Sequence, residues 1–233
     1  MAYEIFTKSH KVYKLIHQNY NLLPVINRFG IKLGVKEKTV ENICLEKNIN
    51  PDFFLAIVNT FNNEQYFPQD ELLSFSPLEI IEYLKRTHRY YINYVMPKLE
   101  FQLEQLLESR TSNNPGLKLV VQFYQNYKKE FEEHIDYEEK TVFPYMEKMV
   151  IQNKSEGNYS ITSFEEEHTH VDEKLSDLKN LIIKYLAPDY NENICNEFLV
   201  TLFRFEKDIY DHARIEDIIL LKQGTAIEQK LRK

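Results

Sequence analysis

An all-α fold, an antiparallel up-and-down four-helix bundle behind a small helical N-terminal domain, is predicted by three observations. Gly and Pro are scarce, five and eight in 233 residues, which disfavours a turn-rich β architecture. Hydrophobic residues, 43% of the chain, recur at helical spacing over long stretches. Strong helix starts separate those stretches, and the connections between them are short.

Residues 1–61 read as a small helical domain: a segment through Tyr20, a second from Leu22 that stops at Gly30, a third after Thr39, and a fourth opened by Asn50-Pro51. In that fourth helix Phe53, Phe54, Ile57, Val58 and Phe61 supply the apolar face. Residues 62–75 lack a helical period, contain Pro68 and read as a linker to a domain spanning 76–225. Ser76-Pro77-Leu78-Glu79 opens helix A, which runs to about 109 with a kink expected at Pro97. Helix B starts near Leu117 and passes Glu138, with Pro144 marking a kink or an end. Helix C starts at a capping box around Thr162 or Ser163 and continues to about 186, and helix D runs from near Asp189 to Leu221 or beyond.

A formal charge of −7 argues against a nucleic-acid binder, which needs a basic face to displace phosphate counterions. No apolar run is long enough to span a bilayer, and the N-terminus lacks a basic segment leading into an apolar one, so a soluble, cytoplasmic protein is expected. Cys44 and Cys195 stand far apart with no CxxC, which suggests neither a disulfide framework nor a thiolate zinc site.

The candidate chemistry lies in a repeat. His134 and Glu138 sit four residues apart, on one face of helix B, and His212 and Glu216 repeat the spacing on helix D. His88 on A and His168 on C give each helix one histidine of this set. The steps from His88 to His134 and from His168 to His212 are 46 and 44 residues, and those from A to C and B to D are 80 and 78. The halves match nearly in register, so an antiparallel bundle brings four imidazoles and two carboxylates to similar depth. Apolar helical neighbours turn three of the histidines inward: Leu84, Tyr91, Ile92 and Val95 near His88; Ile161, Phe164 and Leu175 near His168; Phe205, Ile209, Ile215 and Ile219 near His212. The face of His134 is more mixed, with Tyr127 and Phe131 beside Glu130. His170 shares its face with Glu166, Lys174 and Asp177 and reads as solvent-facing, while His10 and His17 read as ordinary surface or packing residues.

Four imidazoles and two carboxylates without a thiolate suit iron or manganese better than structural zinc, and six side chains suit two ions better than one. Iron is the first choice, with Glu138 and Glu216 as bridges by number and symmetry. Glu130 and Asp208, one turn before His134 and His212, are candidates to orient an imidazole or pass protons. Glu139 reads as a solvated charge.

The order His88, His134-x3-Glu138, His168 in Glu165-Glu166-Glu167-His168, and His212-x3-Glu216, with Phe143-Pro144 after the first pair, resembles the hemerythrin-like domain of the iron-sulfur cluster repair di-iron proteins, over residues 76–225. The leading region, with Leu23-Pro24-Val25-Ile26-Asn27-Arg28-Phe29-Gly30-Ile31, is similar to that family's small N-terminal domain. The resemblance implies two non-haem iron ions per chain, oxo- or hydroxo-bridged, and a role in restoring iron-sulfur clusters damaged by nitric oxide or oxidants. Oxygen, nitric oxide or peroxide are the implied small ligands, with iron-sulfur proteins and a second copy of the chain as candidate partners. Two departures stand out. Leu33-Gly34-Val35-Lys36 replaces the adjacent cysteines usual in the family, and the loop 110–114 lacks a further histidine often found there. The rival readings are a sensor or binder of oxygen or nitric oxide, and a di-iron enzyme reducing nitric oxide or peroxide with Tyr91 or Tyr137 as redox or hydrogen-bonding neighbours.

Overall fold

In the computed structural model the described residues are 4–109, 114–154, 159–161 and 171–232, the side chains of 171–173 excepted. They are helical apart from short connections and an isolated bridge between Lys11 and Thr39. The capping box around Thr162 and Ser163 lies outside them, as do His168 and His170. By their contacts the residues group into two units, Met1–Thr87 with Asp211–Lys230 and His88–Tyr210 with Leu231–Lys233.

The first unit opens with α1 (Val12–Gln18), α2 (Leu22–Arg28), α3 (Val40–Glu46) and α4 (Pro51–Asn62). The predicted punctuation is used. Gly30, at φ +74°, takes up the left-handed conformation just past α2. Thr39 accepts from the Asn42 amide, and Asn50 accepts from the amides of Asp52 and Phe53, a cap contributing about 1 kcal/mol. The sequence predicts one apolar face for α4, yet every residue from Phe53 to Asn62 is buried. Its polar positions survive because each finds a partner. Asn59 accepts from the Phe6 amide at 2.8 Å and donates to the Phe6 carbonyl at 3.0 Å, and Asn62 donates to the Glu4 carbonyl. The extended N-terminal segment thus supplies the hydrogen bonds that a second buried face requires.

Phe29, Phe53, Phe54 and Phe61 form an aromatic core that Tyr83 joins, with Phe29 and Phe54 centroids 4.9 Å apart and Phe29 and Tyr83 5.1 Å. Residues 62–75 hold a short helix, α5 (Gln69–Ser74), that periodicity does not reveal. Gln223 donates to the carbonyls of Leu73 and Phe75 at 3.0 and 2.9 Å, and the Arg214 guanidinium lies 4.3 Å above Phe67. Side chains more than 130 residues away in sequence hold this stretch in place, which is why its own sequence shows no signal.

Cys44, in α3, is fully buried, and burial pushes its thiol up from 9.0 to about 12. The folded state keeps the thiol protonated while the unfolded chain ionises it, so this contribution is intact below about pH 9 and declines as pH rises toward about 12. Denaturant midpoints measured across that window are expected to fall more steeply for the native chain than for Cys44→Ala. Equal slopes would show that Cys44 contributes nothing to alkaline lability.

The second unit holds the four-helix core. α6 (Pro77–Tyr90) enters it at His88 and continues through a π turn (Tyr91–Val95) into α7 (Met96–Glu108), which together make helix A. Helix B is α8 (Pro115–Tyr137), a π turn (Glu138–Val142) and α9 (Phe143–Gln152); α10 (Val171–Tyr185) is C, and α11 (Glu192–Ile215) is D. Leu99, Leu106, Leu117, Tyr124, Leu175, Leu178, Phe198 and Leu202, from all four helices, are buried together. Polar ties run around the ring: Lys128 to Glu100 at 2.5 Å joins B to A, Lys174 to Glu130 joins C to B, Lys179 to Glu206 joins C to D, and Tyr91 donates to Asp208 at 2.5 Å to join A to D.

One end is closed by asparagines. Asn114 accepts from the Gly116 and Leu117 amides and donates to the Ala187 carbonyl at 3.1 Å, so helix B starts at Pro115, two residues before the predicted start. Asn191 caps α11, accepting from Asn193 and Ile194, which moves the start of D past Asp189.

The two prolines do not end their helices. π turns immediately precede Met96-Pro97 and Phe143-Pro144. Proline lacks an amide and crowds the carbonyl one turn earlier, and the wider π turn accommodates both effects. A third π turn, Glu216–Leu220, continues α11 into α12 (Leu221–Leu231) with no proline nearby, and nothing in the sequence there explains it.

Candidate metal centre

Helix B carries His134 near the end of α8 and Glu138 as the first residue of the following π turn. Four residues of helix put the two side chains on one face, and His134 Nε2 lies 2.7 Å from Glu138 Oε1. Helix A brings His88 from the other side, its Nε2 3.3 Å from Glu138 Oε2. The Glu138 carboxylate, with 0% exposure, thus faces an imidazole nitrogen with each of its oxygens. His88 is 2% exposed, and the His134 side chain 15%.

Two further residues of helix B clamp His88. Its Nδ1 is 3.0 Å from Glu139 Oε1, and its ring stacks on Phe143 with centroids 5.5 Å apart and planes 12° from parallel. The expectation that Glu139 is merely a solvated charge is therefore corrected. Its side chain is 31% exposed and orients the histidine. Adjacent residues on an ideal helix diverge by about 100°, and no spacing rule assigns both to one target. The His88 ring, packed across the π turn, reaches Glu138 through one nitrogen and Glu139 through the other.

That arrangement tests the fit to a metal. With Nδ1–H donating to Glu139, Nε2 turns a lone pair toward a carboxylate oxygen 3.3 Å away. Two lone pairs facing each other away from water call for a proton or a metal cation between them, and a fully buried carboxylate is costly without such a partner. Imidazole nitrogens and carboxylate oxygens are the donor set of iron and manganese sites. The residues present fit the group.

In the other unit, His212 and Glu216 repeat the pair: Nε2 to Oε2 is 3.7 Å, with His212 at 7% exposure and Glu216 at 1%. Glu216, like Glu138, is the first residue of a π turn, a shared backbone feature that the sequence does not reveal. π turns recur at functional sites. Asp211, beside His212, is fully buried and lies 3.3 Å from the Arg214 guanidinium.

The two acids proposed to precede ligand histidines have other partners in the structure. Glu130 pairs with Lys174 at the surface, and the half-buried Asp208 accepts from Tyr91. Tyr91 is 1% exposed and packs on Phe131 and Phe205, so its hydroxyl needs that acceptor. His10 does have a carboxylate neighbour, Glu4 at 3.2 Å, and also meets Thr7, which keeps it a local surface residue.

The helical fold and these buried histidine–glutamate pairs define a cation-binding helical bundle protein. The family model for the hemerythrin HHE cation-binding domain matches residues 79–223, more than half of the chain, and the chain belongs to that family. A search of the curated proteins returns no match. Among the described residues no helix is long and apolar enough to cross a membrane.

Proposed function

We propose that this protein holds two non-haem iron ions and uses them in the repair of iron-sulfur clusters damaged by nitric oxide or oxidants. The single observation behind the metal assignment is the Glu138 carboxylate, shut off from water with imidazole nitrogens at 3.3 and 2.7 Å. His88, His134 and Glu138 would hold iron from one half of the repeat, and His168, His212 and Glu216 from the other. When bound, iron supplies one-electron redox chemistry and positions at which oxygen, nitric oxide or peroxide can bind. Glu139 holds the His88 ring in the orientation that aims Nε2 at the metal, and Phe143 keeps water from its face. The repair role is supported by the resemblance of the chain, with its leading region 1–61, to the two-part repair proteins.

A second reading, a sensor of oxygen or nitric oxide, draws on the thiols. Leu33-Gly34-Val35-Lys36 replaces the cysteine pair, and both Cys44 and Cys195 are buried, at 0% and 3% exposure. The chain therefore presents no surface thiol to accept or pass on iron. In this reading the ligand binds stoichiometrically and the 1–61 region relays the change.

Protein purified from iron-replete cells should carry about two irons per chain, as six protein ligands imply. Adding it to an iron-sulfur enzyme inactivated by nitric oxide should restore activity. Recovery no faster than with free ferrous iron, together with saturable binding of nitric oxide, would select the sensor. Steady-state consumption of nitric oxide or peroxide would select a reducing enzyme, and less than one iron per chain would sink all three.

A further inference from the structure

Beyond the metal centre, helix B carries a second concave feature on its other flank. The side chains of Lys140, Pro144, Tyr145 and Lys148, one stripe at helical spacing, line a cavity of about 240 Å³ that Lys154 and Tyr159 close from the segment beyond α9. Tyr145 and Tyr159 meet edge to face at 4.9 Å and form a wall, and Arg232 donates to the Tyr159 carbonyl at 3.3 Å, which ties the chain's end to that wall. Three lysines thus line one small cavity, and among the described residues none of its lining is acidic. Lys140 is held by Asp136 at 2.6 Å, while Lys148 and Lys154 form no ion pair among the described residues.

This is an unusual place in a chain of net charge −7. The like charges of Lys148 and Lys154 on one cavity repel each other, and an anion between them removes that cost. The tyrosine rings and Pro144 add a flat apolar wall, so charge alone does not describe the site. A pocket with a few charged groups and an aromatic lining selects ligands that carry both features. At about 240 Å³ the volume suits a compact molecule rather than a full dinucleotide, since drug-sized ligands occupy roughly 300–1,000 Å³.

We infer that this cavity is a binding site for a small organic anion, a phosphate monoester on a flat ring, with Lys148 and Lys154 on the phosphate and Tyr145 and Tyr159 against the ring. The site shares its turn with the metal ligand: Lys140 belongs to the π turn that Glu138 begins, and Pro144 follows the Phe143 that stacks on His88. An anion seated there rests on the backbone that carries Glu138 and Glu139.

Phenyl phosphate is the probe, titrated into the full-length protein by calorimetry and by tyrosine fluorescence, the chain having no tryptophan. Saturable binding is expected, at least about tenfold tighter than for inorganic phosphate, since the phenyl ring adds a stacking contact with the tyrosines that phosphate lacks. Phenol should not bind. Lys148→Glu should weaken binding at least about tenfold through charge reversal, and Tyr145→Leu should bring the phenyl phosphate affinity down to that of phosphate. Both positions border the surface, and circular dichroism confirms that each variant is folded. No saturable binding of phenyl phosphate, or equal affinity in Lys148→Glu, overturns the assignment; so does equal affinity for phosphate and phenyl phosphate in the native chain. Because the titration is independent of iron, it separates failure of this site from failure of the metal assignment.

Discussion

Glu138→Gln should leave the purified protein with less than about one-tenth of the native metal content, whereas Glu139→Gln should keep metal but bind it about 10- to 100-fold more weakly. The difference follows from position. Both oxygens of Glu138 face imidazole nitrogens, while Glu139 acts through the other nitrogen of His88. Amide for carboxylate keeps the size and removes the charge, so lost metal cannot be blamed on a cavity. Thermal denaturation with and without added metal gives a second readout. Metal at about 1,000 times its dissociation constant stabilises a folded site by about 4 kcal/mol, and that increment should vanish in Glu138→Gln. The metal-free variant should be no less stable than metal-free native protein, because a buried charge has been removed. Native metal content in Glu138→Gln would remove this carboxylate from the ligand set.

Phe198→Ala is expected to have the largest effect on stability. Phe198 lies in helix D with 0% exposure, among residues contributed by all four helices. Truncating a buried phenylalanine costs about 3–5 kcal/mol in lost transfer energy and cavity, which in a domain of this size lowers the melting temperature by roughly 10 °C. Phe101→Ala, at a position 58% exposed, should change stability by about 0.5 kcal/mol or less. Calorimetric melting of the two variants is the check. A loss below about 1 kcal/mol for Phe198→Ala would mean that the four-helix core is looser than its packing indicates.

Much of the fold was legible in the chain because helices advertise their own ends. Thr39, Asn50 and Gly30 do locally what their chemistry predicts, each within a few residues of its partner. The prolines were legible too, but only as sites of trouble. That Pro97 and Pro144 are absorbed by π turns depends on the continuation of packing beyond them. α5 was invisible because long-range partners such as Gln223 hold it, and a helix of six residues has little stability of its own.

The candidate site divides the same way. The sequence by itself determined the pairing of His134 with Glu138 and of His212 with Glu216, because a four-residue separation on a helix is a distance. It also determined that His88 and His212 are buried, through the apolar residues around them. Only the tertiary structure decided that His88 meets Glu139 as well as Glu138, that Asp208 serves Tyr91 and Glu130 serves Lys174, and that three lysines line one cavity on the helix that carries Glu138. Local geometry is set by the backbone and can be read along the chain. That two neighbouring acids both meet one histidine on another helix is set by how the helices pack, and that information is spread over every side chain in the core.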